Sequence, residues 1–376
     1  MLFRSLILVL SVFNGFEGLV KSLYSSFYPD IKIAAQSGKL ITITPQQLKQ
    51  LKGLTGVNNY SLVLEEKALV QNGDFQSVVY LKGVDENYQL VSGVADHLIN
   101  GQYDIGTADM PQVILGAGVE DALGIQADRN IFTLKVYLPK KSNSNQINLL
   151  EDISVDTIRS SAAFVIQQDF DNKYGITNID FLKRTLKIPT DQYSGVEIAL
   201  QEGADEEAIK NSIKNIVGNG YKVQDKYEQN QSLYAIMNIE RWVIYGVLCL
   251  ILVVAAFNMI GALSMLVLEK RKDISVLHAL GANKSFIQKI FLSEGMLLAF
   301  VGCVVGMLLA IFIAWLQITF HFIPLEGGSF LIDYFPVTLR LADFALVGFT
   351  VFVITFLASW IPARKAAAQE FSLRSE

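Results

Sequence analysis

The chain has 376 residues, 51% of them hydrophobic, with 31 Lys and Arg against 36 Asp and Glu for a formal net charge of −5. That apolar fraction is high for a soluble protein of this length, and the negative balance argues against a nucleic-acid partner. Two cysteines, Cys249 and Cys303, and three scattered histidines, His97, His278 and His321, give neither a disulfide framework nor a metal-ligating cluster.

Residues 1–13 are apolar apart from Arg4 and two serines, a run short of the roughly 20 residues that a bilayer crossing needs. A cleaved signal peptide would suit the length, but Asn14, Gly15, Phe16 and Glu17 lack the small-residue cleavage pattern. The preferred reading is a membrane helix whose beginning is missing and which leaves the bilayer at residues 14–17.

Residues 29–240 follow, with 19 Lys and Arg against 27 Asp and Glu, a net charge of −8. Their periodicity is that of a mixed α/β domain. Strands are predicted over residues 31–35 and 39–43. A helix follows with Thr44 as N-cap and Pro45 at its first position, ending near Lys52 and Gly53. Two β-rich runs, 62–70 and 75–82, flank Asn72 and Gly73, whose positive φ suits a tight hairpin turn. A strand and a helix closing at Gly124 are expected over 113–125, and a further strand over 131–139. The Ser- and Asn-rich stretch 140–146 predicts a mobile loop. A strand over 195–201, a helix capped by Asp205 and running to Val217, and a strand over 221–224 complete the domain. From about Glu228 the pattern is helical and is expected to run straight into the next span.

Three uncharged or nearly uncharged runs occupy residues 242–268, 295–320 and 344–361, each read as a membrane helix. The loop between the first two carries Lys270, Arg271, Lys272, Lys284 and Lys289, and the tail carries Arg364, Lys365 and Arg374, so both belong in the cytoplasm. Residues 321–340 hold one base against Glu326 and Asp333 and belong outside; alternation places residues 29–240 outside as well. Within the spans, Asn258 is a polar group expected to bond a neighbouring helix or to line a cavity, and Gly302 and Gly306 form a small-xxx-small pattern for close helix packing. Arg241 and Trp242 mark an outer boundary where the arginine reaches headgroups.

No nucleophile–base pair stands out, and Ser37-Gly38-Lys39-Leu40 lacks the flanking residues of a phosphate loop. The informative segment lies in the cytoplasmic loop. Ile274, Leu277 and Leu280 recur every three residues behind the charged run Glu269, Lys270, Arg271 and Lys272, and Gly281 is suited to end the helix. Such a helix, with Ala279 beside its apolar face, is a compact knob able to enter a groove on a soluble partner.

That segment, continuing through Ala282 to Phe291-Leu292-Ser293-Glu294-Gly295, resembles the signature of FtsX/MacB-type ABC permeases. Within that superfamily, residues 11–17 (Ser-Val-Phe-Asn-Gly-Phe-Glu), 330–336 and 357–366 resemble the LolC/LolE lipoprotein-releasing branch. The resemblance implies an α-helical membrane domain of four spans, the first truncated, with a large mixed α/β periplasmic domain of MacB core type. The divisions are 1–28, the first helix and outer connector; 29–240, the periplasmic domain; and 241–376, the FtsX-like permease domain.

It further implies a non-catalytic subunit of the bacterial inner membrane, without a cofactor or metal of its own. ATP and Mg are bound by a separate ABC ATPase, which pushes on the coupling helix at residues 272–281. A second permease subunit, as homo- or heterodimer, a lipoprotein substrate and a periplasmic carrier are the other implied partners. Asn14, Gly15, Phe16 and Glu17 then fall at the substrate entry and outer gate. Peptide or drug efflux in the MacB manner, cell-wall hydrolase regulation in the FtsX manner, and a membrane-anchored sensory domain stay open as alternatives.

Overall fold

The structure, a computed structural model, describes residues 2–126, 133–139, 153–324 and 334–368. These fall into two compact units, one within Val20–Tyr234, the other built from residues nearer the two ends of the chain. The predicted loop at 140–146, Arg374 and most of the 330–336 motif lie outside the described residues.

The chain opens with α1, Leu2–Phe27. Its Arg4–Phe27 stretch is long and apolar enough to cross a membrane. The helix therefore runs on past residues 14–17, where the sequence led us to expect it to leave the bilayer. Those residues are an interruption in the middle of a helix whose apolar character resumes at Leu19 and Val20.

In the α/β unit, β1 (Ile31–Ala35) buries Ile31 and Ile33 on one face and leaves Lys32 on the other, the period-two alternation of a strand. The next strand, β2, is only Ile41–Thr42, shorter than predicted; Gly38 has φ +86° and Lys39 turns out to pair with Glu66. Helix α2 (Pro45–Lys52) starts with a capping box in which the Thr44 side chain accepts from the Gln47 backbone N–H. Strands β3 (Val57–Asn72) and β4 (Phe75–Val84) form the predicted hairpin, with Gly73 at φ +56°. Two short 3-10 turns, Glu86–Leu90 and Gly93–His97, lead to β5 (Leu98–Gly101), β6 (Gln112–Gly116) and α3 (Ala117–Ala122). Then come β7 (Thr133–Pro139), β8 (Ile153–Phe164), α4 (Gln168–Asp171), β9 (Tyr174–Asn178), α5 (Ile179–Leu186) and β10 (Gln192–Tyr193). The unit closes with β11 (Gly195–Leu200), α6 (Glu206–Val217), capped by Asp205 as predicted, β12 (Tyr221–Asp225) and α7 (Lys226–Gln229).

Ten of these strands share one sheet in the order β12-β1-β11-β3-β4-β9-β6-β8-β5, and β7 pairs with both β3 and β8. The pairings β3-β4-β9-β6-β8-β7-β3 therefore form a closed ring, which removes edges that would otherwise invite another chain. Leu64, Val70, Leu81, Leu115, Val136 and Ile158 are buried in the core this ring shares with α3 and α5. A second core, around Ile31, Ile33, Val196, Ile198 and Ile213, sits between α2, α6 and one face of β12-β1-β11.

The remaining elements belong to the other unit. Helix α8 (Gln231–Glu269) is continuous for 39 residues; α9 is Arg271–Ala279, α10 Lys284–Phe320 and α11 Leu341–Ala367. With α1, three of these are long and apolar enough to span a membrane. All three extend beyond the apolar runs read from sequence, because charged residues continue the helix once it leaves hydrocarbon. Leu6, Ile7 and Leu10 of α1, Leu248 and Leu252 of α8, Ala310 of α10, and Val347 and Val351 of α11 form one buried cluster. Helices α10 and α11 approach closely where a Cβ on Gly295 would lie 2.2 Å from the Ser359 hydroxyl oxygen. Many remaining apolar side chains, among them Leu250, Phe257, Phe300 and Phe349, are exposed, as suits helices in lipid.

Candidate functional site

Two groups of predicted residues gather at separate places on the membrane unit. At the first, α8 ends at Glu269, and Lys270 begins a tight turn into α9. Lys270 pairs with Asp273 at 3.1 Å, both more than half exposed, so this pair is solvated and adds little stability. Arg271 and Lys272 are exposed as well. Gly281 has φ +92°, the left-handed conformation that closes the helix, and its N–H donates to the His278 carbonyl. Asn283 then caps α10 by accepting from Phe286 N–H at 2.8 Å.

The apolar face drawn from the three-residue spacing does not act as one surface. Ile274 is buried against Val267, Ile287, Phe291, Ala363 and Ala366, anchoring α9 to the membrane helices. Leu277 is half-buried, whereas Leu280 is 80% and Val276 59% exposed, with Ala279 exposed beside them. The helix is thus pinned at one point and presents an apolar tip that is left exposed by the described residues. The outward tip was legible as apolar, but the inward role of Ile274 needs α11 to be placed.

The second group centres on Asn14. Its Nδ2 donates to Asp343 Oδ2 at 2.5 Å, and Arg241 Nη2 donates to Asp343 Oδ1 at 2.8 Å. Asp343 and Asn14 are almost wholly buried, and Ser11, one turn before Asn14, accepts from Thr338 N–H through its carbonyl at 2.9 Å. Glu17, one turn later, pairs with Arg340 at 3.3 Å. Gly15 faces the same segment so closely that a Cβ there would stand 2.2 Å from the Pro336 carbonyl oxygen. Phe16 packs edge-on to Phe335, ring centres 5.6 Å apart. A polar interruption within an apolar helix is costly unless each group finds a partner. Here Arg241 of α8, Asp343 of α11 and residues 338–340 just before it supply most of them, and the buried Asn14 amide oxygen keeps no partner among the described residues.

Asp343, Arg241 and Arg340 were not singled out as one site from sequence. Asp343 directly precedes the apolar run 344–361, and Arg241 read as a headgroup anchor; the structure instead turns Arg241 onto Asp343. The available signal was an acid at the head of one apolar run and a base at the head of another. Replacing Gly15 by Ala is expected to lower the unfolding free energy by about 1–3 kcal/mol. The obstructing atoms are backbone and cannot swing aside. The midpoint of SDS-induced unfolding measures it, and an unchanged midpoint would contradict the contact.

The other predicted packing residues divide. Gly306 is buried and Gly302 half-buried on α10, while Asn258 on α8 is exposed and bonds no neighbouring helix of this chain among the described residues. The expected interhelical bond is therefore corrected: α8 turns that face away from the other helices. No group of three His, Cys, Asp or Glu side chains converges among the described residues.

Known proteins resemble this chain in part and along most of its length. Residues 245–371, from within α8 through α11, match the family described as FtsX-like permease C-terminal. The lipoprotein-releasing system transmembrane protein LolE of Haemophilus influenzae is 25% identical over 96% of this chain and 88% of its own length. The lipoprotein-releasing system transmembrane protein LolC of Neisseria meningitidis serogroup B is 24% identical over the same shares. Among solved structures, the periplasmic region of MacB from Actinobacillus actinomycetemcomitans is similar at 10% identity and a TM-score of 0.39, over 58% of this chain and 98% of its own.

Proposed function

We propose that this chain is the permease subunit of an ABC transporter that releases lipoproteins from the inner membrane, driven by ATP hydrolysis on a partner chain. The observation that carries the reading is similarity to LolE and LolC along almost the whole chain rather than in the permease region alone. Four membrane-length helices joined to a large α/β unit fit it.

On this reading α9 receives the stroke. Its tip, Leu280 with Val276 and Ala279, enters a groove on the ATPase, and Ile274 passes displacement to α8, α10 and α11 through the cluster around Val267, Phe291 and Ala363. At the other polar cluster, Asn14, Glu17, Arg241, Arg340 and Asp343 hold α1 against the start of α11. Opening that latch would part α1 from α11 and admit a lipid anchor between helices. No covalent step falls to these residues. Their work is positioning, and ATP and Mg act on the partner.

Depletion of the protein is expected to leave lipoproteins in the inner membrane; correct outer-membrane placement under depletion would refute the reading. Leu280→Glu is expected to reduce co-purifying ATPase about tenfold with the unfolding midpoint unchanged, because the side chain is 80% exposed. Ile274→Ala should instead cost about 2–4 kcal/mol of stability. Equal ATPase recovery in wild type and Leu280→Glu would remove α9 from the interface.

A further inference from the structure

The face of β12-β1-β11 opposite the core of α2 and α6 is a basin, not a flat sheet. It continues across β3, β4 and β9, is closed on one side by the end of α1, and encloses about 690 Å³, within the range of ligand pockets. Nothing in the proposed mechanism uses it.

Its floor is built with unusual care for a surface. Lys82 and Glu197, 2% and 1% exposed, form an ion pair at 2.8 Å; the Lys82 ammonium also donates to the Tyr88 hydroxyl at 3.0 Å and lies 5.0 Å from the Phe27 ring centre. Register places Lys32 between Glu197 and Gln224, so Lys32 and Gln224 line the basin while Glu197 lies buried beneath it. The walls are aromatic. Tyr80 stacks on Tyr174 at 5.5 Å, and Tyr28 closes the α1 side.

The spare bonding capacity is of both signs. Burial pushes the phenols of Tyr28 and Tyr174 up, so they stay protonated donors, and the Glu65 carboxylate bears on both from opposite Lys82 in the β3–β4 register. Lys67 lies 5.1 Å over the Tyr80 ring, free to reach an anion. Gln229, on the rim, has a buried amide oxygen with no partner. By contrast, Lys39 is taken by Glu66 and Lys82 by Glu197.

This set excludes most ligands. Carboxylates and ammoniums on one surface are a poor bed for an acyl chain. Glu65 and Glu66 with a net-negative domain repel polyanions. A chain with alternating donors and acceptors, side chains of both charges and apolar groups to lie on rings matches all of it.

We propose that the basin binds an extended segment of polypeptide, seated on Tyr28, Tyr80 and Tyr174, with Lys67 and Glu65 reading its charges. Resting on the function proposed above, the segment is the part of a lipoprotein next to its lipid anchor. Held there, it would keep the anchor from sliding back once the polypeptide has advanced.

The test uses the full chain with its ATPase in lipid nanodiscs and a triacylated lipoprotein as probe. A photoreactive residue replaces Lys67 in the basin or, as a control, exposed Lys49 on α2. Crosslinks from position 67, absent from 49, that map within the residues following the lipid anchor are expected, falling about tenfold with Tyr80→Ala and under twofold with Tyr80→Phe. Crosslinks only to phospholipid or a periplasmic carrier, or ATP-driven release with no crosslink at 67, would overturn the basin and leave the transporter reading intact. Crosslinks without any ATP-driven release would do the reverse.

Discussion

Asp343→Ala is expected to loosen the membrane unit more than any other single change in its helices. Among the described residues the carboxylate joins Asn14 of α1 to Arg241 of α8, and its removal leaves the buried Asn14 amide N–H with only the Thr338 carbonyl at 3.5 Å. Breaking a buried pair costs about 3–5 kcal/mol. Arg241 is one-third exposed and recovers some hydration, so a loss on the order of 3 kcal/mol is the expected figure. Asp343→Asn keeps the volume and an acceptor for Asn14 while removing the charge, and should lose less than half as much. SDS unfolding reads the difference. If the cluster is a latch that must open, Asp343→Asn should also raise the basal ATPase rate of the assembled transporter. Equal rates would make it a structural tie only.

How far the sequence carried is visible in that cluster. Helix and strand positions were legible wherever short-range chemistry decides them: Thr44 and Asp205 as caps, Asn72-Gly73 as a turn, Gly281 as a helix end. Strands β8 and β9 and helix α5 were not read, although Asn178 caps α5 by accepting from Asp180 N–H at 2.8 Å. Their apolar residues serve a ring closed by β7, and alternation there is broken by small buried residues such as Ala162 and Ala163. The apolar spans were plain, but their ends were not. Apolar runs report hydrocarbon depth, whereas hydrogen bonding sets helix length. Ser11 to Glu17 drew notice by resemblance alone. That they meet residues 335–343 is a contact more than 300 positions apart, and nothing local in either segment encodes it.

Lys82→Met is the corresponding change in the α/β unit, expected to destabilise it by about 3–5 kcal/mol, since Glu197 would remain buried with only Lys32 at 3.7 Å. Pairing it with Glu197→Leu should restore most of that loss or exceed wild type, because two charges withdrawn from water are rarely better than packed apolar groups. The three tryptophans, Trp242, Trp315 and Trp360, all lie outside this unit, so its unfolding is better followed by urea-dependent pulse proteolysis than by fluorescence. The double variant separates two reasons for a buried pair. If Lys82 and Glu197 serve stability alone, the repaired protein should bind as before. If they fix Lys32, Tyr88 and Phe27 beneath the basin, the repaired protein should be as stable as wild type yet lose the crosslink from position 67. Recovered stability with undiminished crosslinking would return the pair to a purely structural role.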